Sequence, residues 1–204
     1  MYAGIINYGL GNLGSLNRII LNLGFNVKII NTPNEILNCD KIILPGVGSF
    51  NSAMKLLKEG SWVEPLSEHA LVKKRNFFGI CLGMQLLSSS SSENGKTLGL
   101  NFIEGEVFNL KELNCREKIP HMGWNSVNFR SNSKIIKGIE NLTDFYFVHS
   151  YAFKPKYKTL VVATTKYEIE FCSIINKENI FGTQFHPEKS SKSGRKILEN
   201  FLNA

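Results

Sequence analysis

A chain of 204 residues, 43% apolar and 20% charged, has the length and balance of one globular enzyme domain, and two full domains would be a squeeze. Its longest apolar runs, such as Phe77 to Leu87, are too short and too broken by glycine to span a membrane. The net charge of +7 raises nucleic-acid binding, but the lysines are scattered, and the one tight cluster, Lys73-Lys74-Arg75, fits a solvated face or a contact with an acidic partner better.

The chain opens on MYAGIINYGLGNLGS, which lacks a charged start and an apolar segment ending in a cleavage site. It reads as a strand, Ala3–Asn7, and a glycine-rich turn, so no export signal and a cytoplasmic location are expected. Leu13, Leu16, Ile20 and Leu23 recur at helical spacing, with Gly24 as C-cap. Val27–Ile30 is a second strand, and Lys41–Leu44 a third that Pro45-Gly46 ends. Phe50, Met54 and Leu57 mark another helix, with His69 on a later helix surface. Asn76–Ile80 is a fourth strand and Leu82–Leu87 a helix directly after it. Strands alternating with helices predict parallel βαβ units.

The second half changes character. Phe102–Phe108, Phe145–His149, Leu160–Thr164, Phe171–Ile175 and Ile180–Phe185 are strand candidates with few helices between them. They predict an antiparallel or mixed extension of the same sheet. Ser88–Ser92 is the one low-complexity run and is expected to be a helix end and loop. Ile197, Leu198, Phe201 and Leu202 form the apolar face of a final helix. The fold class is therefore α/β: a single domain over 1–204 with a mostly parallel sheet flanked by helices.

Four cysteines lie far apart with no CxxC pair, so neither a disulfide framework nor a thiol metal site is expected. Cys39 and Cys172 sit in apolar stretches and read as small buried hydrophobes; Cys115 reads as a loop or edge residue. His69, His121, His149 and His186 show no ligand spacing, so no metal is expected, and no cofactor motif stands out.

Cys81 differs from the other cysteines. In Gly79-Ile80-Cys81-Leu82-Gly83 a buried strand runs into a helix with one reactive side chain at the junction and glycines two residues either side. That is the layout of a nucleophile elbow with Cys in place of Ser. The helix start favours a thiolate, and the Leu82 N–H can point at a developing oxyanion. A structural cysteine between packing glycines fits the same five residues. Gln184-Phe185-His186-Pro187-Glu188 follows a strand, and Pro187 biases His186 to extended backbone. Residues i and i+2 then share a face, which pairs His186 with Glu188 as base and orienting carboxylate. A strand-end histidine with a surface hydrogen bond is the alternative. Pro45-Gly46-Val47-Gly48 fits an anion-binding turn or an ordinary glycine turn. Gln85, at i+4 from Cys81, fits a substrate contact or a solvent-facing side chain.

With PGVGSF (45–50), GICLGMQ (79–85) and GTQFHPEKS (182–190) in this order, the whole chain resembles a class I glutamine amidotransferase domain, whose fold is flavodoxin-like. The segments IPHMGWN (119–125), YFVHSY (146–151) and YGLGN (8–12) look like the glutaminase subunits of imidazole glycerol phosphate synthases. The resemblance implies hydrolysis of glutamine to glutamate and ammonia, with Cys81 as nucleophile, His186 as acid/base and Glu188 as orienter. It implies oxyanion donors at the Val47 and Leu82 amides, and glutamine contacts at Gly48, Gln85, His149, Ser150 and Tyr151. His149 is placed in this binding wall because no carboxylate adjoins it. It implies a heterodimer with a (β/α)8-barrel cyclase, met by a face carrying Asn12, Met122, Trp124 and Lys189, and internal passage of ammonia. No cofactor, nucleic acid or membrane is implied. The glycines around Val47 lower the cost of a peptide flip, so the lone subunit is expected to be nearly inactive until its partner binds.

One departure is the serine-rich stretch Ser88–Gly95, where such subunits more often carry bulky and charged residues. Relatives that supply ammonia for amidating surface-polysaccharide sugars share the same motifs, so the acceptor stays open between the two. A docking module without catalysis would be expected to have lost the triad. A free-standing cysteine hydrolase would act without a partner.

Overall fold

Short apolar runs bounded by glycine turns give the parallel half of the sheet. A computed structural model describes residues 2–204. Strand β1 (Ala3–Ile6) leads through a glycine turn into helix α1 (Leu13–Asn22), which buries Leu16 and Ile20. Gly24, at φ +83°, donates to the Leu21 carbonyl at 2.9 Å and closes the helix as expected. Strands β2 (Val27–Ile30) and β3 (Lys41–Gly46) follow. β3 runs through Pro45 to Gly46 rather than stopping at Leu44, because Pro45 and Gly46 stay in register with Ile80 and Cys81 of the next strand. Helices α2 (Phe50–Glu59) and α3 (Val63–Ser67, continued by a wider turn to Val72) come next. Strand β4 (Asn76–Cys81) then runs directly into helix α4 (Leu82–Leu86).

The antiparallel part holds more strands than expected. Ser88–Ser92 is not a plain loop: it contains β5 (Ser90–Ser91), which pairs with β6 (Thr97–Leu98) and β7 (Gly105–Asn109). Phe102 and Ile103 lie before β7 as buried loop residues, their N–H groups donating to the Leu87 carbonyl where α4 ends. Strands β8 (His121–Phe129), β9 (Thr143–His149), β10 (Tyr151–Pro155), β11 (Val161–Tyr167), β12 (Ile169–Lys177) and β13 (Ile180–Thr183) lead to helix α5 (Ser191–Asn203).

The main sheet has nine strands in the order β2-β1-β3-β4-β13-β12-β11-β8-β9. It is parallel from β2 to β13 and antiparallel from β13 to β9. The predicted mixed extension is thus present, and a second sheet, β10-β7-β5-β6, is additional. Apolar clusters cover both faces of the main sheet. One joins it to α2–α4 and the small sheet through Phe50, Leu57, Leu86, Val107 and Phe153. The other joins it to α1 and α5 through Leu16, Ile20, Leu198 and Phe201. β3, β4 and β13 are central neighbours and end together, which puts their carboxyl ends where open α/β sheets bind ligands.

One side chain differs from expectation. His69 is buried, 2% exposed, with Nε2 against the Asn76 carbonyl, because α3 turns this side of its last turn onto the start of β4. Cys115 lies in a loop, as expected, and is buried there with its thiol on the Tyr167 carbonyl. The basic cluster is taken up locally: Lys73 pairs with Glu68, Lys74 with Glu178, and Arg75 donates to the Leu37 and Cys39 carbonyls. No helix among the described residues is long and apolar enough to cross a membrane.

Candidate active site

Cys81 stands at the end of β4 with φ 53° and ψ −110°, a left-handed backbone that costs a non-glycine residue roughly 1–3 kcal/mol. The sheet holds it there: Gly46 of β3 lies opposite Cys81, and Thr183 of β13 opposite Ile80. The flanking glycines are needed for contact. A Cβ on Gly83 would sit 1.8 Å from the Leu44 carbonyl oxygen, and one on Gly79 would sit 2.6 Å from the Gly83 carbonyl oxygen. The first turn of α4 therefore rests on the backbone of β3 and β4 with no side chain between them.

The Cys81 thiol lies 3.7 Å from Gln184 Nε2 and 3.9 Å from the Val148 carbonyl. Gln184 was not singled out as a site residue. Its Oε1 accepts from Gln85 Nε2 at 3.1 Å, which leaves its Nε2 to face the sulfur. Its place two residues before His186 was the available signal. Gln85 is buried rather than solvent-facing, and also donates to the Tyr151 carbonyl at 2.8 Å.

His186 and Glu188 meet, by a different route from strand alternation. His186 is extended, and Pro187–Lys189 form one 3-10 turn, with the Lys189 N–H donating to the His186 carbonyl at 3.0 Å. The turn folds Glu188 back, so that its Oε1 lies 2.9 Å from His186 Nδ1 with the side chains only 4% and 3% exposed. His186 Nε2 is buried and has no hydrogen-bond partner among the described residues. Burial disfavours the imidazolium, but neighbouring Cys81 and Glu188 outweigh it and raise the His186 pKa to about 10.

Over Cys81 opens a cleft of about 220 Å³. Leu82, Gly48, Gln85, His149, Ser150 and Tyr151 line it, so the predicted binding residues converge. Val47 does not line it and is 44% exposed. Glu93, Pro120 and Val148 line it unforeseen. Glu93 reaches the cleft from the serine-rich loop, where its Oε2 accepts the Phe50 N–H at 2.7 Å at the start of α2. It adds an acidic group to a wall otherwise built of neutral side chains.

Of the predicted partner face, Met122 and Trp124 project from β8 and are 62% and 53% exposed. Lys189 lies nearby, its Nζ 5.7 Å from the centre of the Tyr146 ring on which Trp124 packs edge-on. Asn12 is exposed at the start of α1, which packs against the turn carrying Lys189. No group of three or more metal-ligating side chains occurs among the described residues.

A cysteine at a strained strand–helix junction, beside a buried His–Glu pair and under a polar cleft, is the layout of an enzyme with a cysteine nucleophile. The chain belongs to the class-I glutamine amidotransferases, whose family model matches residues 4–204. It is 46% identical over 198 residues to the imidazole glycerol phosphate synthase subunit HisH 2 of Methanococcus maripaludis, covering 97% of each chain. It is 48% identical over 202 residues to the HisH subunit of Methanocaldococcus jannaschii, covering 98% of this chain and 97% of that one. Among solved structures, a glutamine amidotransferase superposes with a TM-score of 0.77 at 16% identity, covering 100% of this chain and 98% of that one. PurLQS from Thermotoga maritima superposes with a TM-score of 0.79 at 16% identity, covering 99% and 97%. At such identities these likenesses concern the fold.

Proposed function

We propose that this chain is the glutaminase subunit of an imidazole glycerol phosphate synthase, a lyase of histidine biosynthesis, working as a heterodimer with a cyclase subunit. The whole-length identity to HisH subunits supports this acceptor over a sugar amidotransferase. The observation that carries the chemistry is Cys81, strained at the elbow and open to the cleft beside His186.

Glutamine enters with its side-chain amide toward Cys81. The thiolate sulfur bonds to the amide carbon, and the carbonyl electrons move onto oxygen, where the Leu82 N–H and a Val47 N–H turned inward stabilise them. The C–N bond breaks as His186 Nε2 gives its proton to the departing nitrogen, releasing ammonia and leaving a γ-glutamyl thioester. Neutral His186 then takes a proton from water, whose oxygen adds to the thioester carbon. The C–S bond breaks, and glutamate leaves with the thiolate restored. Glu188 holds the His186 ring and favours its charged form throughout. Gln85, His149, Ser150 and Tyr151 hold the substrate. Glu93 complements its α-ammonium, since a carboxylate in the wall attracts a cation and repels the carboxylate of a misplaced ligand.

Ammonia must not reach bulk water, where at neutral pH it becomes unreactive ammonium. A (β/α)8-barrel cyclase seated over Asn12, Met122, Trp124 and Lys189 receives it internally. Gly48, at φ +99°, lets the peptide beside Val47 reorient when that partner binds. The test is glutamate release from glutamine with and without the cyclase subunit, with mass analysis of Cys81 after rapid quenching. Partner-dependent turnover with a γ-glutamyl adduct on Cys81 is expected. No glutamate in the complex, or an adduct elsewhere, would overturn the assignment.

A further inference from the structure

One chain of hydrogen bonds runs from the surface of β8 to the nucleophile. Asn125 is half-buried on β8, next to exposed Trp124. Its Oδ1 accepts the Ser126 N–H at 2.8 Å, and its Nδ2 donates to the Lys166 carbonyl at 3.0 Å. That fixes the amide orientation, so Nδ2 is also the donor to His121 Nε2 at 3.2 Å. An imidazole that accepts at Nε2 carries its proton at Nδ1. His121 Nδ1 therefore donates to His149 Nε2, 2.9 Å away. By the same rule His149 Nδ1 donates to the Tyr151 carbonyl at 2.9 Å.

The Tyr151 carbonyl is shared. It also accepts from Gln85 Nε2, which in turn reaches Gln184 Oε1, and Gln184 Nε2 faces the Cys81 sulfur. Each partner sets the orientation of the next, and Asn125, His121, His149, Tyr151, Gln85 and Gln184 are each at least half-buried, so water does not readily replace the links between them. Gln85, His149 and Tyr151 line the cleft; His121 does not. His121 is 3% exposed and stacks on the Tyr167 ring at 4.1 Å. Nothing in the proposed reaction uses it, yet it is the sole link in this chain between the docking strand and the binding wall.

We propose that His121 is a positioning residue for glutamine: through His149 it holds the Tyr151 carbonyl and Gln85 in the orientation that binds substrate, and so ties the wall of the cleft to the strand that meets the partner. The proposal rests on the glutaminase reading and deepens it.

Two measurements test it in the complex with the cyclase subunit. The first is KM and kcat for glutamine in His121→Phe, which keeps a ring against Tyr167 but removes both hydrogen bonds, and in His121→Asn, which keeps a donor near the Nδ1 position. Losing one buried hydrogen bond of about 1 kcal/mol predicts a rise in KM of roughly fivefold in His121→Phe, with kcat little changed, and substantial recovery in His121→Asn. An unchanged KM in His121→Phe, or a His121→Asn variant no better than it, overturns the proposal. The second is nitrogen NMR of the wild-type imidazoles, which needs no turnover. Nδ1–H tautomers at both His121 and His149 are expected, and an Nε2–H tautomer at either one breaks the chain. If wild-type complex releases no glutamate, the glutaminase reading fails, and the tautomers still decide whether the chain exists.

Discussion

His186 Nδ1 lies 2.9 Å from Glu188 Oε1, two residues along the same chain, with both side chains closed off from solvent. The carboxylate fixes the ring so that Nε2 faces inward, and it favours the imidazolium that the release of ammonia consumes.

Glu188→Gln keeps the shape and removes the charge. It is expected to lower kcat for glutamine by about a hundredfold or more, since general acid–base steps contribute on the order of 10²–10⁴. Ammonium-dependent synthesis by the complex should be unaffected. Steady-state assays with each nitrogen source check both statements.

Gly83→Ala tests the packing behind Cys81. The new Cβ would meet the Leu44 carbonyl oxygen at 1.8 Å, and that oxygen is backbone in a central strand. Overpacking of this kind predicts a loss of about 3 kcal/mol or more. Urea unfolding measures it; a loss under about 1 kcal/mol, the scale of tolerated volume-conserving swaps, would show that α4 is not seated as described.

Glu93→Ala should act twice. Loss of a charged contact to the substrate's ammonium predicts a rise in KM of roughly tenfold to a hundredfold. Loss of the bond to the Phe50 N–H should cost about 1 kcal/mol at the start of α2. Kinetics and denaturation read the two effects separately.

Stability should fall on mild acidification. Burial lowers the pKa of His69 and His121 to about 4 and that of His149 to about 3. Unfolded histidine titrates near about 6.5, so below that pH the unfolded chain binds protons that the folded chain refuses. Stability is full above that value and declines as pH drops toward 4, by up to roughly 1.4 kcal/mol per pH unit for each of these histidines. Below about 6.5 His186 is protonated in both states and adds no slope; above that value its own contribution falls progressively and is gone once pH passes about 10. Denaturant titrations between pH 7 and 5 measure the slope, and His149→Asn should reduce it.

What was legible in the sequence depended on how local each feature is. The elbow and the His-Pro-Glu segment each lie within five residues, so spacing marked Cys81 and the His186–Glu188 pair as candidates, and the family resemblance joined them into one group. The His–Glu contact was foreseen, but it forms through a 3-10 turn that Pro187 starts rather than through an extended chain. Glu93 was missed because only the pairing of β5 with β7 brings its loop over α2. β5 and β6 are two residues long each, too short to show a period. β8 was missed because Gly123, Asn125 and Asn128 have low strand propensity, and its partners β9 and β11 hold it in place. His69 carries no local mark of burial: a polar residue on a helix is expected outside, and only the fold sets it against β4.

The central claim is that Cys81 releases the ammonia a partner uses. It is tested most directly by giving Cys81→Ala in complex with the cyclase subunit either glutamine or ammonium chloride. Loss of glutamine-dependent synthesis with ammonium-dependent synthesis intact is the predicted result. Glutamine turnover that survives the substitution would contradict it.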